Sequence, residues 1–218
     1  MTPEDVQGTR LRVTEIFHSI QGEGAASGRP SAFIRLTGCP LRCGYCDTTY
    51  AFTEGEWMSL EEILQAVGVQ PMREVCVTGG EPLAQAGCGT LLSALCDKGY
   101  RVTLETSGAL SVADVDPRVF KALDIKTPGS GEEARNDWSN LGCLRPGDLV
   151  KFVICSREDY EWARDQVRGR QWSCEVFFSP AWGQQDAGQL GEWIVADALP
   201  VRLQVQLHKV LWGDARGR

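Results

Sequence analysis

Short apolar runs rich in β-branched residues alternate with amphipathic segments along most of the chain, and this alternation constrains the fold most strongly. The runs have the length and composition of strands, and several of the segments between them have helical periodicity. We predict strands at residues 11–17, 32–36, 74–77, 102–105, 122–125, 150–154, 174–178 and 201–206. Strands separated by helices form parallel β-α units that wind in one direction. The prediction is an α/β fold of about six parallel strands, arranged as an open sheet or a partial (open) β/α barrel.

Three of the intervening segments carry helix signals. Ser59-Leu60-Glu61-Glu62 is a capping-box pattern, so we expect a helix to begin at Ser59. Residues 91–98 place three leucines on one side and precede Gly99, which suits the left-handed end of a helix. A third helix is predicted after Ser156, where apolar residues recur at helical spacing before Gly169.

Size and charge narrow the class of protein. The 218 residues, 43% of them hydrophobic, fit one compact domain over residues 1–218. The formal net charge of -7 opposes a general attraction to nucleic-acid phosphates. Residues 1–5 lack the basic start of a leader, and no stretch approaches the roughly 20 apolar residues of a membrane helix. We expect a soluble, cytoplasmic protein that binds neither nucleic acid nor membrane.

The nine cysteines do not form a secreted disulfide framework, because their number is odd and their spacing is irregular. Cys39, Cys43 and Cys46 form a C-x3-C-x2-C run just after the predicted strand 32–36. Three thiolates in this cluster loop, residues 39–46, can hold a 4Fe-4S cluster and leave one iron open. A zinc knuckle or a ferredoxin would need a fourth ligand in register, and the sequence offers none. An open iron suits a cluster that binds a cofactor or substrate.

The remaining cysteines are interpreted as bystanders. Cys76, Cys96 and Cys155 adjoin apolar residues and are predicted to be small buried hydrophobic groups. Isolated positions are occupied by Cys88, Cys143 and Cys174.

A second motif, Thr78-Gly79-Gly80-Glu81-Pro82, follows the predicted strand 74–77. Its glycines permit a close backbone approach and Glu81 offers an acceptor for an ammonium group, although the motif alone is also compatible with a turn. Together with the cysteine run, and Tyr45 before its third cysteine, it resembles the radical S-adenosylmethionine superfamily. The resemblance implies that S-adenosylmethionine chelates the open iron and that one electron then cleaves its sulfonium to give a radical.

Further motifs resemble one family of that superfamily, the 7-carboxy-7-deazaguanine synthases. The resemblance implies conversion of 6-carboxy-5,6,7,8-tetrahydropterin to 7-carboxy-7-deazaguanine with loss of ammonia, on a route to queuosine or another 7-deazapurine. It implies abstraction of hydrogen from C6, ring contraction and return of the hydrogen. The motifs, in the family's order, are Phe17-His18-Ser19-Ile20-Gln21-Gly22-Glu23-Gly24, Phe33-Ile34-Arg35-Leu36, Cys46-Asp47-Thr48, Glu105-Thr106-Ser107-Gly108 and Gln206-Leu207-His208-Lys209.

The same resemblance implies which residues contact the substrate. Arg35 lies inside an apolar strand and would pair with the substrate carboxylate, because its planar fork makes a two-point contact. His208 would contact substrate or would be a satisfied histidine at a strand end. Asp214 stands near the place where short relatives bring a terminal carboxylate to the substrate. The expected contacts are Ile20, Gln21, Gly22, Glu23, Arg35, Thr78, Glu105, Ser107, His208 and Asp214.

Cofactor and metal residues follow from the resemblance as well. Thr48 matches a magnesium-binding position, and we expect Mg²⁺ to bind only with substrate present, because one hydroxyl makes a weak site. Asp124-Ile125-Lys126 departs from the Ser-Pro-Lys of many relatives, and Ser179-Pro180 departs from the Gln-Pro of some. The expected cofactor contacts are Tyr45, Cys46, Asp47, Gly80, Glu81, Asp124, Ile125, Lys126, Ser179 and Pro180.

Two other classes of protein are compatible with the cysteine run. A small glycyl-radical activase shares the spacing but acts on a partner protein, and it would need neither the loop 21–24 nor Arg35. A non-catalytic iron-sulfur or zinc adaptor would hold metal without cleaving the cofactor. The family resemblance also implies a homodimer and an electron donor such as a flavodoxin or ferredoxin.

Overall fold

A computed structural model describes residues 8–218, in which nine strands form one sheet. The expectation that residues 1–5 are not part of a leader falls on residues outside the described range. The strands are β1 (Arg10–Ile20), β2 (Pro30–Leu36), β3 (Glu56–Ser59), β4 (Glu74–Gly79), β5 (Arg101–Thr106), β6 (Phe120–Ile125), β7 (Leu149–Ile154), β8 (Glu175–Pro180) and β9 (Arg202–Leu203). Their order in the sheet is β3-β1-β2-β4-β5-β6-β7-β8-β9.

Seven strands, β2 and β4 to β9, run parallel to their neighbours. The predicted open parallel α/β sheet is therefore confirmed. It is extended at one edge by β1 and β3, which pair antiparallel. The four-residue β3 was not predicted from the sequence, and β1 was predicted without an orientation.

The predicted strand 201–206 is too long, because β9 covers only Arg202–Leu203. After Leu203 the chain turns toward the loop that follows β1. There the side-chain oxygen of Gln204 accepts a hydrogen bond from Gly24 N–H at 2.5 Å. Leu207 N–H donates to the Gly22 carbonyl at 3.1 Å, so the segment after the edge strand β9 meets the loop after β1.

The helices are α1 (Leu60–Val67), α2 (Cys88–Asp97), α3 (Arg157–Gly169), α4 (Ala187–Ala196) and α5 (Leu207–Trp212). The predicted capping box is confirmed: Ser59 accepts from the Glu62 amide and donates its own N–H to the Glu62 carboxylate at 2.7 Å. Gly99 ends α2 with a φ of +85°, and Ser156 caps α3. The helices α4 and α5 have no counterpart in the sequence-based prediction. No helix within residues 8–218 is long and apolar enough to cross a bilayer.

Side chains alternate across the parallel strands, and this alternation separates the core from the site. One face packs apolar residues such as Ile34, Val77 and Phe152 against α1 to α4 in two large clusters. The opposite face carries polar residues such as Arg35, Thr78 and Lys151, which line a cavity. The arrangement is that of a partial barrel, with the helices on its outer face and the polar, cavity-lining side chains on its inner face.

The bystander cysteines differ in burial. Cys76 is 2% exposed, as predicted, but it also lines the cavity because its strand position faces inward. Cys96 and Cys155 are only partly buried, since one lies in the last turn of α2 and the other directly follows β7. Cys88 is buried in the core, Cys174 is partly buried, and Cys143 is exposed.

Candidate active site

A cavity of about 310 Å³ lies at the carboxyl ends of the parallel strands, a size at the lower end of small-molecule sites. Parallel α/β folds place ligands at this end of the sheet. The cavity is lined by every substrate, cluster and magnesium residue predicted from the sequence. Of the predicted cofactor residues, all but Glu81 and Ile125 line it.

The cluster loop follows β2 and is held from two sides. Gly38, with a φ of +95°, turns the chain into the loop and accepts a hydrogen bond from Glu81 N–H at 2.8 Å. Gly44 N–H donates to the Ser130 carbonyl at 3.0 Å, and Arg42 N–H donates to the Glu132 carboxylate at 2.5 Å. Hydrogen bonds of the loop's own backbone thus hold it in place without a metal.

All three thiols of this loop face the cavity. Burial raises the pKa of Cys39 and of Cys43, so bound iron would be needed to hold them as thiolates. No three His, Cys, Asp or Glu side chains among residues 8–218 converge tightly enough to hold a single metal ion. A cubane makes a different demand, because each of its thiolates binds its own iron. The donor set therefore fits a 4Fe-4S cluster.

Gly79 and Gly80 bring the end of β4 against the cluster loop. Gly79 adopts a φ of +147°, which favours glycine. A Cβ on Gly80 would overlap the Gly38 carbonyl oxygen and lie 2.8 Å from Cys39 Cβ. The motif thus leaves exposed backbone beside the cysteines, where a cofactor's polar end could bind.

Glu81 has a different position from the one expected. Its carboxylate is fully buried and accepts hydrogen bonds from Ser107 N–H at 2.6 Å, Thr106 Oγ1 at 3.0 Å and Leu83 N–H at 3.0 Å. Because these donors engage both oxygens, Glu81 braces the ends of β4 and β5, and its position does not support direct contact with the cofactor's amino group.

Ile125 also lies off the cavity. It is fully buried in the core, because it sits between Asp124 and Lys126 on β6 and side chains alternate along a strand. Only its two neighbours face inward. Its expected cofactor contact is therefore not supported by the position of its side chain.

Two buried polar atoms at the cofactor end of the cavity have no protein partner in the described structure: Tyr45 OH and Asp124 Oδ1. The other oxygen of Asp124 pairs with Lys126 Nζ at 3.1 Å, and that ammonium lies 5.7 Å from the centre of the Tyr45 ring. Burial raises the pKa of Tyr45, so its hydroxyl stays protonated and can donate. Buried polar atoms are normally hydrogen-bonded, so an orphan donor and an orphan acceptor here fit a ligand with hydroxyl and amine groups.

Toward the substrate end of the cavity, Glu23 is held by Lys151, a residue that the sequence analysis missed. Lys151 Nζ lies 2.7 Å from Glu23 Oε2, and the side-chain amide of Gln206 donates to Oε1 at 2.8 Å. Burial alone would raise the pKa of Glu23, but Lys151 and Gln206 outweigh it and lower that pKa to about 2. Glu23 is therefore a fixed carboxylate at any ordinary pH.

Glu105 is a second carboxyl group at this end. Lys151 Nζ lies 3.8 Å away, too far for a hydrogen bond. Burial raises the pKa of Glu105 to about 7, and Glu23 and Asp124 add to that effect against the attraction of Lys151. Glu105 therefore changes charge near neutral pH.

Arg35 is oriented by Glu15, which the sequence analysis also missed. Arg35 Nε lies 2.7 Å from Glu15 Oε1, and Tyr50 OH donates to the same oxygen at 2.9 Å. The contact uses the Nε edge of the guanidinium, and both the Phe17 and Tyr50 rings lie 5.8 Å from its carbon. A two-point contact with a carboxylate can use the terminal nitrogens.

The C-terminal segment covers the mouth of the cavity. Lys209 on α5 pairs with Asp214 at 2.8 Å and with Asp47 of the loop after Cys46 at 3.4 Å. His208, on the same helix rather than at a strand end, lines the cavity, and burial lowers its pKa, which favours the neutral imidazole. Asp214 is thus beside the cavity, although its carboxylate is engaged by Lys209.

Residues 33–125 match the Radical SAM superfamily. The fold also matches the crystal structure of QueE from Escherichia coli, with a TM-score of 0.77 at 24% identity, over 95% of this chain and 100% of that one. A partial β/α barrel whose first parallel strand leads into a three-cysteine loop defines the radical S-adenosylmethionine class of enzymes, which carry a 4Fe-4S cluster and S-adenosylmethionine.

Relatives within that class are close in length and sequence. The 7-carboxy-7-deazaguanine synthase of Chlorobaculum tepidum is 47% identical over 213 residues, which cover 95% of this chain and 97% of the relative. The enzyme of the same name from Koribacter versatilis is 41% identical, over 93% and 97%. The chain belongs to the 7-carboxy-7-deazaguanine synthase family.

Proposed function

We propose that this enzyme converts 6-carboxy-5,6,7,8-tetrahydropterin to 7-carboxy-7-deazaguanine, with loss of ammonia, for synthesis of queuosine or another 7-deazapurine. The observation that carries the proposal is the 47% identity to a relative of that name over nearly the whole of both chains. The small volume of the cavity, about 310 Å³, supports a small substrate, whereas a glycyl-radical activase must admit a segment of a partner protein.

The substrate end is suited to a carboxylated pterin. Arg35, held by Glu15, would bind the substrate carboxylate with its terminal nitrogens. The amino and ring N–H groups of the pterin need acceptors, and the carboxyl groups of Glu23 and Glu105 supply them. Contacts along the cavity wall would come from Ile20, Gln21, Gly22, Thr78, Ser107, His208 and Asp214.

The cofactor end would hold the cluster through Cys39, Cys43 and Cys46. When bound, the cluster and S-adenosylmethionine supply the radical chemistry that removes a hydrogen atom from C6 and returns it after ring contraction. The backbone at Gly80 would contact the amino-acid end of S-adenosylmethionine, and the side chains of Tyr45 and Asp124 would form hydrogen bonds with its nucleoside. Further contacts would come from Cys46, Asp47, Lys126, Ser179 and Pro180.

Magnesium would bind between the cluster loop and the substrate. Thr48 lines the cavity, with its hydroxyl 3.8 Å from Cys46 Sγ. A single hydroxyl ligand fits an ion that keeps several waters and takes oxygen atoms from its substrate. The ion would then orient the substrate and neutralise charge during migration.

The test is an anaerobic assay with reconstituted enzyme, S-adenosylmethionine, a strong reductant and the carboxy-tetrahydropterin, with and without magnesium. We expect the deazapurine product by mass spectrometry, with turnover stimulated by magnesium. A Cys43→Ala variant should form no product. A wild-type enzyme with a full cluster that cleaves S-adenosylmethionine but leaves the pterin unchanged would overturn the substrate while keeping the enzyme class.

The family supports four further parts of the proposal: one domain over residues 1–218, a homodimer, a flavodoxin or ferredoxin as electron donor, and a cytoplasmic location without nucleic-acid or membrane partners. Sedimentation of the reconstituted enzyme tests the dimer. Replacement of the chemical reductant by reduced flavodoxin or ferredoxin tests the donor, with turnover as the measurement.

A further inference from the structure

Lys151 joins three carboxyl groups that come from three different parts of the chain. Its ammonium lies 2.7 Å from Glu23 in the loop after β1, 3.8 Å from Glu105 on β5 and 3.8 Å from Asp124 on β6. The Lys151 side chain is only 12% exposed. A buried lysine on an inner strand of the parallel sheet is destabilising unless it has a partner, and here it has three.

The charges explain why a cation is needed at this position. Asp124 has a second cation in Lys126 at 3.1 Å. Glu23 and Glu105 have no other ion-pair partner than Lys151 among residues 8–218. The proposed substrate brings a further carboxylate, which Arg35 would neutralise, but Arg35 is already paired with Glu15. Without Lys151, the substrate end would therefore collect uncompensated negative charge.

Lys151 also fixes the direction of Glu23. The Glu23 carboxylate receives donors from Lys151, from Gln206 at 2.8 Å and from Gln204 at 3.3 Å. Of these three donors, Lys151 is the shortest contact and the only charged one. Hydrogen bonds to charged groups are the stronger kind, so Lys151 dominates the orientation of this acceptor.

We propose that Lys151 is a positioning residue that holds Glu23 toward the substrate and keeps the substrate end compatible with an anionic pterin. The inference rests on the proposed function. It assigns to Lys151 no contact with the cluster or with S-adenosylmethionine. Asp124, a proposed cofactor contact, lies 3.8 Å from Lys151 but keeps Lys126 at 3.1 Å when Lys151 is replaced. The effect of Lys151 should therefore fall on substrate affinity, with cluster assembly unchanged.

The experiment compares the full-length reconstituted Lys151→Met, Lys151→Arg and wild-type enzymes. Affinity for the carboxy-tetrahydropterin is measured anaerobically by calorimetry with S-adenosylmethionine present and no reductant, and iron content is measured on the same samples. We expect Lys151→Met to weaken binding by about tenfold to a hundredfold, the range for loss of a charged hydrogen bond. Lys151→Arg should recover most of the affinity. If Lys151→Met loses its cluster, Lys151→Gln, which keeps a donor without the charge, takes its place.

A double-mutant cycle with Glu23→Gln separates positioning from general destabilisation. If Lys151 acts through Glu23, the double variant binds little worse than the weaker single variant. Lys121→Met is the matched control, because Lys121 is also buried on the sheet and pairs with Asp148 at 3.1 Å, away from the cavity. It should lower thermal stability and leave the affinity of the folded enzyme unchanged.

The outcomes are distinguishable. Wild-type enzyme that neither binds nor converts the pterin overturns the proposed function and this inference with it. Wild-type enzyme that converts the pterin, alongside a Lys151→Met variant of equal affinity or fully additive losses in the cycle, overturns only the role of Lys151.

Discussion

Gly80 lies where the loop after β4 touches the cluster loop. Its amide donates to the Leu36 carbonyl at 3.0 Å, and a Cβ there would overlap the Gly38 carbonyl oxygen. We predict that Gly80→Ala displaces the cluster loop and lowers cluster content severalfold, because both sides of this contact are backbone. Iron and sulfide analysis after reconstitution measures the effect.

Gly89→Ala is the control for Gly80→Ala. Gly89 lies in α2, and a Cβ there meets nothing within 4 Å. This variant should reconstitute like wild type and gain some helix stability. Equal cluster content in the two alanine variants would contradict the close approach described at Gly80.

The ionisation of Glu105 should make substrate affinity depend on pH. Its pKa of about 7 lies above the ordinary value of 4.5, so the group is neutral below that pH and ionised above it. Since the pterin offers N–H donors, an ionised acceptor binds better, and affinity should rise as pH increases through about 7. Calorimetry at several pH values measures the rise. Glu105→Gln should remove it, and a rise of equal size in that variant would assign the titration to another group.

The residues that sequence reasoning placed wrongly or missed have three different physical causes. Ile125 sits between two polar residues, and strand alternation could have placed it in the core from the sequence alone. Lys151 carried the same signal as Arg35, a charge inside an apolar strand, but without a motif to single it out. Glu81 could not have been placed, because the donors that engage it, Thr106 and Ser107, lie at the end of another strand and just after it.

The start of α3 supports the cluster loop indirectly, through the segment at residues 129–130. Asp159 in its first turn is 1% exposed and accepts hydrogen bonds from Gly129 N–H at 2.7 Å and Cys155 N–H at 3.0 Å. Gly129 precedes Ser130, whose carbonyl holds Gly44. We predict that Asp159→Ala lowers the free energy of unfolding by about 2–3 kcal/mol, because two amides lose their acceptor. Denaturant titration of the apo-protein measures this loss.

Asp165→Ala on the same helix is the matched control. The Asp165 side chain is 64% exposed, and its pair with Arg164 is a surface contact. Such pairs contribute about 0–1 kcal/mol, so this variant should unfold close to wild type. If the two aspartate variants were equally stable, the support from α3 would be unimportant.

Elements with strong local signals were predicted well, and those defined by long-range contacts were not. The capping box at Ser59 is recognisable because its two partners are three residues apart. The apolar runs of β2 and β4 are recognisable because these strands are buried and require apolar residues. The strand β3 forms only because β1 offers it an edge, and β9 ends early because Gln204 turns to Gly24. Both contacts, β3 with β1 and Gln204 with Gly24, join residues that are far apart in the sequence, so a local sequence pattern cannot predict them.

The whole molecule closes where the loop after β1 meets the segment after β9. A Cβ on Gly22 would overlap the His208 ring and lie 2.9 Å from the His208 amide nitrogen. We predict that Gly22→Ala pushes these segments apart, weakening substrate binding about tenfold or more by loss of one or two hydrogen bonds. Cluster content should be normal, because the cysteines lie elsewhere. Anaerobic calorimetry and iron analysis measure the two quantities.

Gly142→Ala controls for a glycine replacement as such, since a Cβ at that position meets nothing within 4 Å. It should bind substrate like wild type. A Gly22→Ala enzyme of normal affinity would show that the closure is looser than the hydrogen bond between Leu207 and Gly22 indicates.

This closure has a consequence for the order in which the protein is made. Gly24 and Gln204 are separated by 180 positions, so a growing chain has almost every strand in place before the two can meet. The cysteines, by contrast, leave the ribosome early. A nascent chain therefore carries its iron ligands through most of translation beside an unfinished cavity, open to oxygen and to stray metals. If iron and sulfide are delivered only after release of the chain, the assembled cluster itself is never exposed in an unfinished cavity.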